Sequence, residues 1–469
     1  MKINSDPTLH LTIEKLVYGG DGLARLPADA PADLPADAST AEASAKGKAA
    51  FVPFVLAGEE VEATVTAQHP GFARARLESV VRPSPERVAP PCPHFASCGG
   101  CHYQHASYAE QLRIKTEILR ENLRRMAKLE LDVEIQVHPS PPWGYRNRTR
   151  VAIRQADSAE TKGFHLGYRR MASEEILAVE ECPIVSPLLQ RAITALWKLG
   201  REGKIPAFLQ EAELFADAED ARLSMSFHQS EAGSAPQREL EAFASVLRDA
   251  IPALETIALF RERHRNKTAD TEGAKPQILS GPGSSTEKGS LTYNVSGHAY
   301  QVSAGAFFQS NRHLLPDLVR IVTEGRTGAA ALDLYAGGGL FSLPLAKQFQ
   351  RLVSVESGNA SFRDLRRNLP PHAKAVHSTT ESYLQEAGKK LRPEFVVVDP
   401  PRAGMGAKAA RRLAECRAQQ VAYVSCDPAT LARDLAILTE GGYRVGAAHL
   451  LDLFPQTFHL ETVLHLIRR

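Results

Sequence analysis

The chain has no long hydrophobic run. No apolar stretch in its 469 residues approaches the roughly 20 positions that a membrane-spanning helix requires, which argues against an integral membrane protein. The opening "MKINSDPTLH" lacks a charged-then-apolar leader, so the expected location is the cytoplasm. An excess of one charge is missing too: 56 Lys and Arg against 54 Asp and Glu leave +2. Acids and arginines gather in different places, so the total says little about partners. Cysteine is scarce. The six thiols are Cys92, Cys98, Cys101, Cys182, Cys416 and Cys426, and a reducing compartment makes them free thiols or metal ligands rather than disulfides.

The length exceeds what one core supports, and two or three domains are expected. Residues 9–26, "LHLTIEKLVYGGDGLARL", alternate apolar and polar positions around a glycine break, and "FVPFVLAGEEVEATV" (51–65) continues the strand pattern. Residues 1–83 therefore read as a small five-stranded β-barrel, comparable to the oligonucleotide-binding barrels appended to RNA-binding proteins. Its Ala/Pro-rich stretch near 27–48 suits an exposed disordered insertion. A helix is expected over about 107–129, with Leu112, Ile114, Ile118, Leu119, Leu123 and Met126 on its apolar stripe. The central region, 84–290, reads as an α+β domain ending in a linker-like stretch at 266–290.

From 291 to 469, short apolar runs ("AALDLY", "RLVSVE", "AKAVHS", "EFVVVD", "QVAYVS") alternate with helical segments, the pattern of a doubly wound parallel sheet. A final pair, "GAAHLLDLF" and "FHLETVLHLI", is joined by only "PQT", too short for a parallel crossover, so these two strands must be antiparallel. That ending is typical of a class I, Rossmann-like methyltransferase domain, and the α/β fold class follows. "LDLYAGGG" places Gly337 between strand and helix, where backbone can approach a ligand. Taken alone this is an ordinary tight turn. Glu356, at the tip of the next strand, could accept hydrogen bonds from both hydroxyls of a ribose. Asp399 in "VVVDPPR" stands at the carboxyl edge of a further strand. The incomplete glycine pattern and the hairpin favour S-adenosyl-L-methionine over a dinucleotide.

Cys92, Cys98 and Cys101 form C-x5-C-x2-C, with Cys182 remote. Four thiolates meet the needs of a [4Fe–4S] cluster. Structural zinc competes, although zinc sites more often show two short pairs. His94, His102 and His105 are then surface or supporting groups. "WGYRNRTRVAIR" puts Arg146, Arg148, Arg150 and Arg154 at even positions near Trp143 and Tyr145, and "GYRR" follows at 167–170. An extended strand would aim these guanidiniums at one face, a phosphate-contacting surface for RNA or simply a solvated one. With four thiols assigned, Cys416 reads as inert packing on a helix. Cys426 sits at the ligand-binding edge of the sheet. A thiolate adding to uracil C6 would make C5 nucleophilic towards a sulfonium methyl, and Glu461 is the best-placed base to remove the C5 proton afterwards. A structural salt bridge is the alternative for Glu461.

The ordered set "CPHFASCGGC", "AGAFFQSN", "DLYAGGG", "VVVDPPRAG", "YVSCDPATLARDL" and "FPQTFHLETV" resembles the RNA (uracil-5-)-methyltransferase family, in particular its ribosomal RNA members with a TRAM domain and a [4Fe–4S] cluster. The resemblance implies 5-methyluridine formation in RNA, 23S ribosomal RNA above all. It implies a monomer with Cys426 as nucleophile, Glu461 as base, and Gln309, Tyr335, Gly337, Glu356 and Asp399 around S-adenosylmethionine. It places the cluster ligands at Cys92, Cys98, Cys101 and Cys182. Two positions depart from the family pattern: Leu340 and Asp427 each stand where Asn is usual. A carboxylate beside the nucleophile opposes thiolate formation unless it is hydrogen-bonded or paired, so Asp427 is expected to be so engaged. Transfer RNA as substrate, RNA cytosine-5 methylation, methylation of an exocyclic amine, and an RNA-binding factor with a vestigial methyltransferase fold are the rival readings.

Overall fold

A computed structural model describes residues 8–27, 47–158, 161–229, 236–261, 276–280, 289–387 and 392–469. The chain divides into two compact units. One comprises Met1–Glu121 with Phe454–His459, and the other Asn122–Leu453 with Leu460–Arg469.

The first unit is built on a six-stranded sheet in the order Thr8–Thr12, Glu60–Gln68, Phe72–Arg82, Ala49–Pro53, Asp21–Arg25, Lys15–Leu16. The sixth strand is only two residues long. Gly19 and Gly20, at φ +114° and +98°, turn the chain from it into Asp21–Arg25, a backbone conformation that costs glycine nothing. Alternate positions (Leu11, Val52, Val61, Ala63, Val65, Ala73) close over one core. Most of the Ala/Pro-rich insertion, residues 28–46, lies outside the described residues. The helix Tyr108–Met126 buries Ile114, Ile118, Leu119 and Leu123, as their spacing requires, but Met126 in its last turn is exposed.

The second unit holds two large sheets. The first runs Ile176–Ala178, Thr161–Arg169, Arg148–Ser158, Leu209–Ala216, Leu223–Gln229, Leu254–Arg261, Gln277–Ser280. Gln277–Ser280 was expected within a linker; instead it pairs antiparallel with Leu254–Arg261. The helix Pro187–Arg201 was not anticipated, although its signals are in the sequence. Ser186 caps it by accepting from Leu189 N, Pro187 occupies the first turn, and Leu188, Leu189, Ala192, Ile193 and Leu196 recur at helical spacing to fill the core.

The second sheet carries the site. Its order is Lys374–His377, Phe349–Glu356, Gly328–Leu334, Phe395–Val398, Gln420–Ser425, Glu461–Arg468, Tyr443–Leu451, Ile135–His138. The first five strands are mutually parallel. Covered on both faces, Phe395–Val398 is buried throughout, which explains its uninterrupted apolar sequence. Glu461–Arg468 then inserts antiparallel between Gln420–Ser425 and Tyr443–Leu451, as the short connection demands. The eighth strand, Ile135–His138, comes from far upstream and pairs parallel to Tyr443–Leu451; no local pattern announces that pairing. Among the described residues, no helix is long and apolar enough to cross a membrane.

Candidate active site

The Gly328–Leu334 strand ends in a turn whose backbone lies in the left-handed region at Tyr335 (φ +62°), Gly337 (+55°) and Gly339 (+94°). A side chain placed on Gly337 would meet nothing within 4 Å, so this loop faces open space and its backbone can be reached by a ligand. Glu356 closes one side. Its Oε2 accepts from Gly337 N at 2.8 Å and its Oε1 from Gly358 N at 2.6 Å. Each oxygen keeps a second acceptor direction, as two ribose hydroxyls would require. Asp333, which sequence reasoning passed over, lies beneath this loop. It is fully buried, its Oδ2 accepts from Ser342 Oγ at 2.5 Å, and its Oδ1 has no partner among the described residues. Burial pushes its carboxyl up to about 7. An orphaned buried acceptor below an open glycine cradle suits a ligand with polar groups, and this donor set fits S-adenosylmethionine.

Leu340 replaces an expected amide with a buried apolar side chain, and its carbonyl accepts from Tyr300 OH at 2.9 Å. Gln309 is buried, and its side chain has no hydrogen bond to any described residue. Asp399 follows Phe395–Val398, with its N donating to Leu334 O at 3.3 Å. Desolvation raises its carboxyl to about 7.

Strand register brings Cys426 and Glu461 together. Ser425 is paired with Thr462 across the antiparallel ladder. One step further along each strand, Cys426 and Glu461 therefore face one another at the sheet's carboxyl edge. The Cys426 thiol is half-buried and pushed up to about 12, first by desolvation and then by the charges of Glu461 and Asp399; the Arg402 guanidinium opposes this. Burial, reinforced by Asp399, raises the Glu461 carboxyl well above the usual carboxylate range, again with Arg402 opposing. The pocket thus contains a buried and a half-buried carboxyl group that cannot both ionise cheaply.

Asp427 is not a loose charge beside the thiol. It caps the helix Pro428–Glu440, and its Oδ1 accepts from Ala429 N at 3.0 Å and Thr430 N at 2.9 Å. Acidic caps are favoured at this position for that reason. Cys416 is fully buried, with Sγ donating to Arg412 O at 3.2 Å; the thiol is a packing group.

A second residue missed by sequence reasoning is Asp434. This fully buried acid accepts at Oδ2 from Tyr423 OH and from Met405 N, both at 2.7 Å. Arg433 Nη2 donates to Ala403 O at 2.8 Å and Thr430 Oγ1 to Arg402 O at 3.0 Å. One helix therefore carries the brace for the whole Arg402–Met405 loop, and Arg402 is the cation facing the thiol. The signal was an acid between Leu431 and Leu435 on a core-facing helix. Asp434→Ala strands two buried donors, and we expect it to cost roughly 2–4 kcal/mol of stability; denaturant unfolding checks this. Stability within about 0.5 kcal/mol of the parent would show that the brace is dispensable.

The arginine row is largely neutralised. Leu209–Ala216 lies beside Arg148–Ser158 and presents Glu211 and Glu213 to it. Arg148 pairs with Glu213 at 2.6 Å, stacks over Phe215 and donates to Ala306 O. Arg150 reaches Glu213 at 3.2 Å and Glu211 at 3.6 Å. Arg146 and Arg154 donate to backbone carbonyls. Arg169 and Arg170 pair with Glu174 and Glu175, and Tyr145 is buried rather than available for stacking. The even spacing is real, but cross-strand acids take up the charges of Arg148 and Arg150.

Cys92, Cys98 and Cys101 belong to the first unit and Cys182 to the second; all four are half-buried and in no disulfide. Phe95 N donates to Cys92 O and Cys98 N to His94 O, which folds the triplet into tight turns. Among the described residues no group of three or more His, Cys, Asp or Glu side chains is arranged to hold a metal ion, so the donor set is chemically apt for iron but gains no support from the geometry. His105 is a core residue rather than a surface group, its Nε2 lying 3.2 Å from Val55 O.

Residues 386–469 match the tRNA (Uracil-5-)-methyltransferase family and residues 7–77 the TRAM domain. The 23S rRNA (uracil(1939)-C(5))-methyltransferase RlmD of Pseudomonas fluorescens is 33% identical over 89% of this chain and 87% of its own length. The RlmD of Halomonas elongata is 31% identical over 98% and 89%. The crystal structure of a Pyrococcus abyssi tRNA (uracil-54, C5)-methyltransferase in complex with S-adenosyl-L-homocysteine superposes with a TM-score of 0.72 at 25% identity, covering 98% of this chain and 100% of that one.

Proposed function

Since this chain belongs to the RNA (uracil-5-)-methyltransferase family, we propose that it methylates uridine C5 in 23S ribosomal RNA through a covalent adduct between Cys426 and uracil C6. The observation that carries the reading is the register that sets Cys426 against Glu461 at the sheet edge, on the same edge as the open glycine cradle.

The target base leaves its stack to reach such a pocket. The Cys426 thiolate adds to C6, and the C5–C6 π pair moves into the enolate so that C5 becomes nucleophilic. Gln309, Tyr335, Gly337, Glu356 and Asp399 would hold S-adenosylmethionine, whose sulfonium would give its methyl to C5, the S–CH3 bond breaking to leave the neutral thioether S-adenosylhomocysteine. Glu461 then takes the proton from C5, the C5–C6 double bond reforms, and the C6–S bond breaks to return the thiolate. Its raised pKa makes Glu461 a better proton acceptor than an exposed carboxylate would be.

The enzyme is read as a cytoplasmic monomer. The direct test incubates the protein with an unmodified 23S ribosomal RNA transcript and labelled methyl donor, then identifies the nucleoside by mass spectrometry. We expect 5-methyluridine; label in 5-methylcytidine, or label only with a transfer RNA substrate, would overturn the assignment.

The cysteine spacing alone supports a [4Fe–4S] cluster on Cys92, Cys98, Cys101 and Cys182. Protein purified without oxygen is then expected to carry about four iron atoms per chain, and Cys98→Ser to lose them. One equivalent of zinc in place of iron would mean a tetrahedral structural site.

A further inference from the structure

The methyltransferase sheet carries an unneutralised cationic surface that the arginine row of the other sheet does not. Between Leu345 and Ser378 the sequence holds six Lys and Arg (Lys347, Arg351, Arg363, Arg366, Arg367, Lys374) against two acids. All six are exposed, and none lies within ion-pair distance of an acid among the described residues; Arg367 donates to Ser290 Oγ at 3.1 Å, and Arg363 and Arg367 act electrostatically on the buried Asp364 between them. Both acids are turned to internal work. Glu356 binds the Gly337 and Gly358 amides, and Asp364 is buried, accepting from Ser303 N at 2.8 Å and Ser303 Oγ at 2.5 Å.

Arg363, Arg366 and Arg367 stand at i, i+3 and i+4 on the helix Asn359–Asn368, so they project from one face. Arg351 and Lys374 lie on the two neighbouring strands Phe349–Glu356 and Lys374–His377 at the sheet's edge. The helix is joined to the cofactor loop: Asn368 Nδ2 donates to Gly338 O at 2.8 Å. Elsewhere in this unit Arg169, Arg201 and Arg320 each have an acid within 4 Å, and the exposed arginines without one, such as Arg154 and Arg191, are not grouped on one helix face. Leaving like charges together without counter-ions is unfavourable, and the arrangement is stabilised when a polyanion neutralises it.

We infer that this helix and sheet edge form a docking surface for the phosphodiester backbone of the substrate RNA, with Arg351 and Lys374 near the amino ends of their strands and so away from the carboxyl edge that holds Cys426. The inference rests on the proposed RNA substrate. The partner is RNA because the surface is broad, exposed and lined by guanidiniums, which suits a row of phosphates.

The test measures filter binding of a 23S ribosomal RNA transcript across a salt series, which does not depend on methyl transfer. For Arg363→Ala/Arg366→Ala, each lost phosphate contact should flatten log K against log salt by roughly 0.7–0.9, and the dissociation constant should rise about tenfold or more at low salt. Arg363→Lys/Arg366→Lys keeps the charges and should restore most of the slope, and calorimetric S-adenosylmethionine binding should stay at the parent value in both. Parent-like affinity and slope in the alanine pair would overturn the docking surface, including the case in which the patch instead receives an acidic protein. A parent protein that binds the transcript without forming 5-methyluridine would overturn the proposed function while leaving the surface readable from the slope.

Discussion

Cys426→Ala protein incorporates no methyl label into ribosomal RNA, a loss of about 10^4-fold or more in turnover. The reason is chemical: uracil C5 acquires useful nucleophilicity only after a thiolate has added at C6, and no other described thiol shares the sheet edge. Cys416, the other cysteine outside the proposed ligand set, is buried in packing on a helix. The same group sets a pH dependence. The thiol is held near 12 in the ligand-free pocket by desolvation and by the Glu461 and Asp399 charges. Below such a value the thiolate fraction grows about tenfold per pH unit, so single-turnover rates should climb from neutral into alkaline pH. Undiminished methylation by the alanine variant would remove covalent catalysis from consideration. A rate independent of pH would show that substrate binding, rather than bulk pH, sets thiol ionisation.

Glu461→Gln is expected to slow turnover by about 10^2–10^4-fold while leaving the first two bond-forming steps intact. A glutamine cannot accept the C5 proton, so methylated RNA should remain attached to Cys426 through C6 and migrate with the protein on a denaturing gel. This outcome separates a base from a structural partner, because loss of a salt bridge would reduce activity without trapping an adduct. Normal turnover with no trapped complex would transfer the proton to another group, and Asp399, half-buried in the pocket and raised to about 7, would be the next to test.

Parts of this architecture were legible because they are local. A buried parallel strand must be apolar on both faces, so "EFVVVD" and "QVAYVS" announced themselves, and the "PQT" connection was too short for anything but an antiparallel pair. The glycine turn and Glu356 could be placed for the same reason: strand, loop and strand tip lie close in sequence. Asp427 was expected to be engaged, and the helix it caps begins at the next residue. The helix Pro187–Arg201 was equally local and could have been found from its Ser-Pro start.

What stayed hidden depends on neighbours distant in sequence. The arginines at 146–154 have the same spacing whether they face phosphate or glutamate. Only the pairing of Arg148–Ser158 with Leu209–Ala216 supplies Glu211 and Glu213. Asp434 looked like an interruption in a helix until Tyr423 and Met405 were brought to it.

The sequence by itself determined the class of fold, the edge of the sheet on which ligands bind, and Cys426 as the available thiol there, because each follows from hydrophobic period, loop length and residue chemistry over short spans. Only the tertiary structure decided that Cys426 faces Glu461, that the Arg402 charge acts on both, and that cross-strand acids take up Arg148 and Arg150 while the arginines of Asn359–Asn368 stay outside ion pairs with described residues. Charge neutralisation and strand register are properties of pairs of elements, and a pair is specified only when the whole chain has packed.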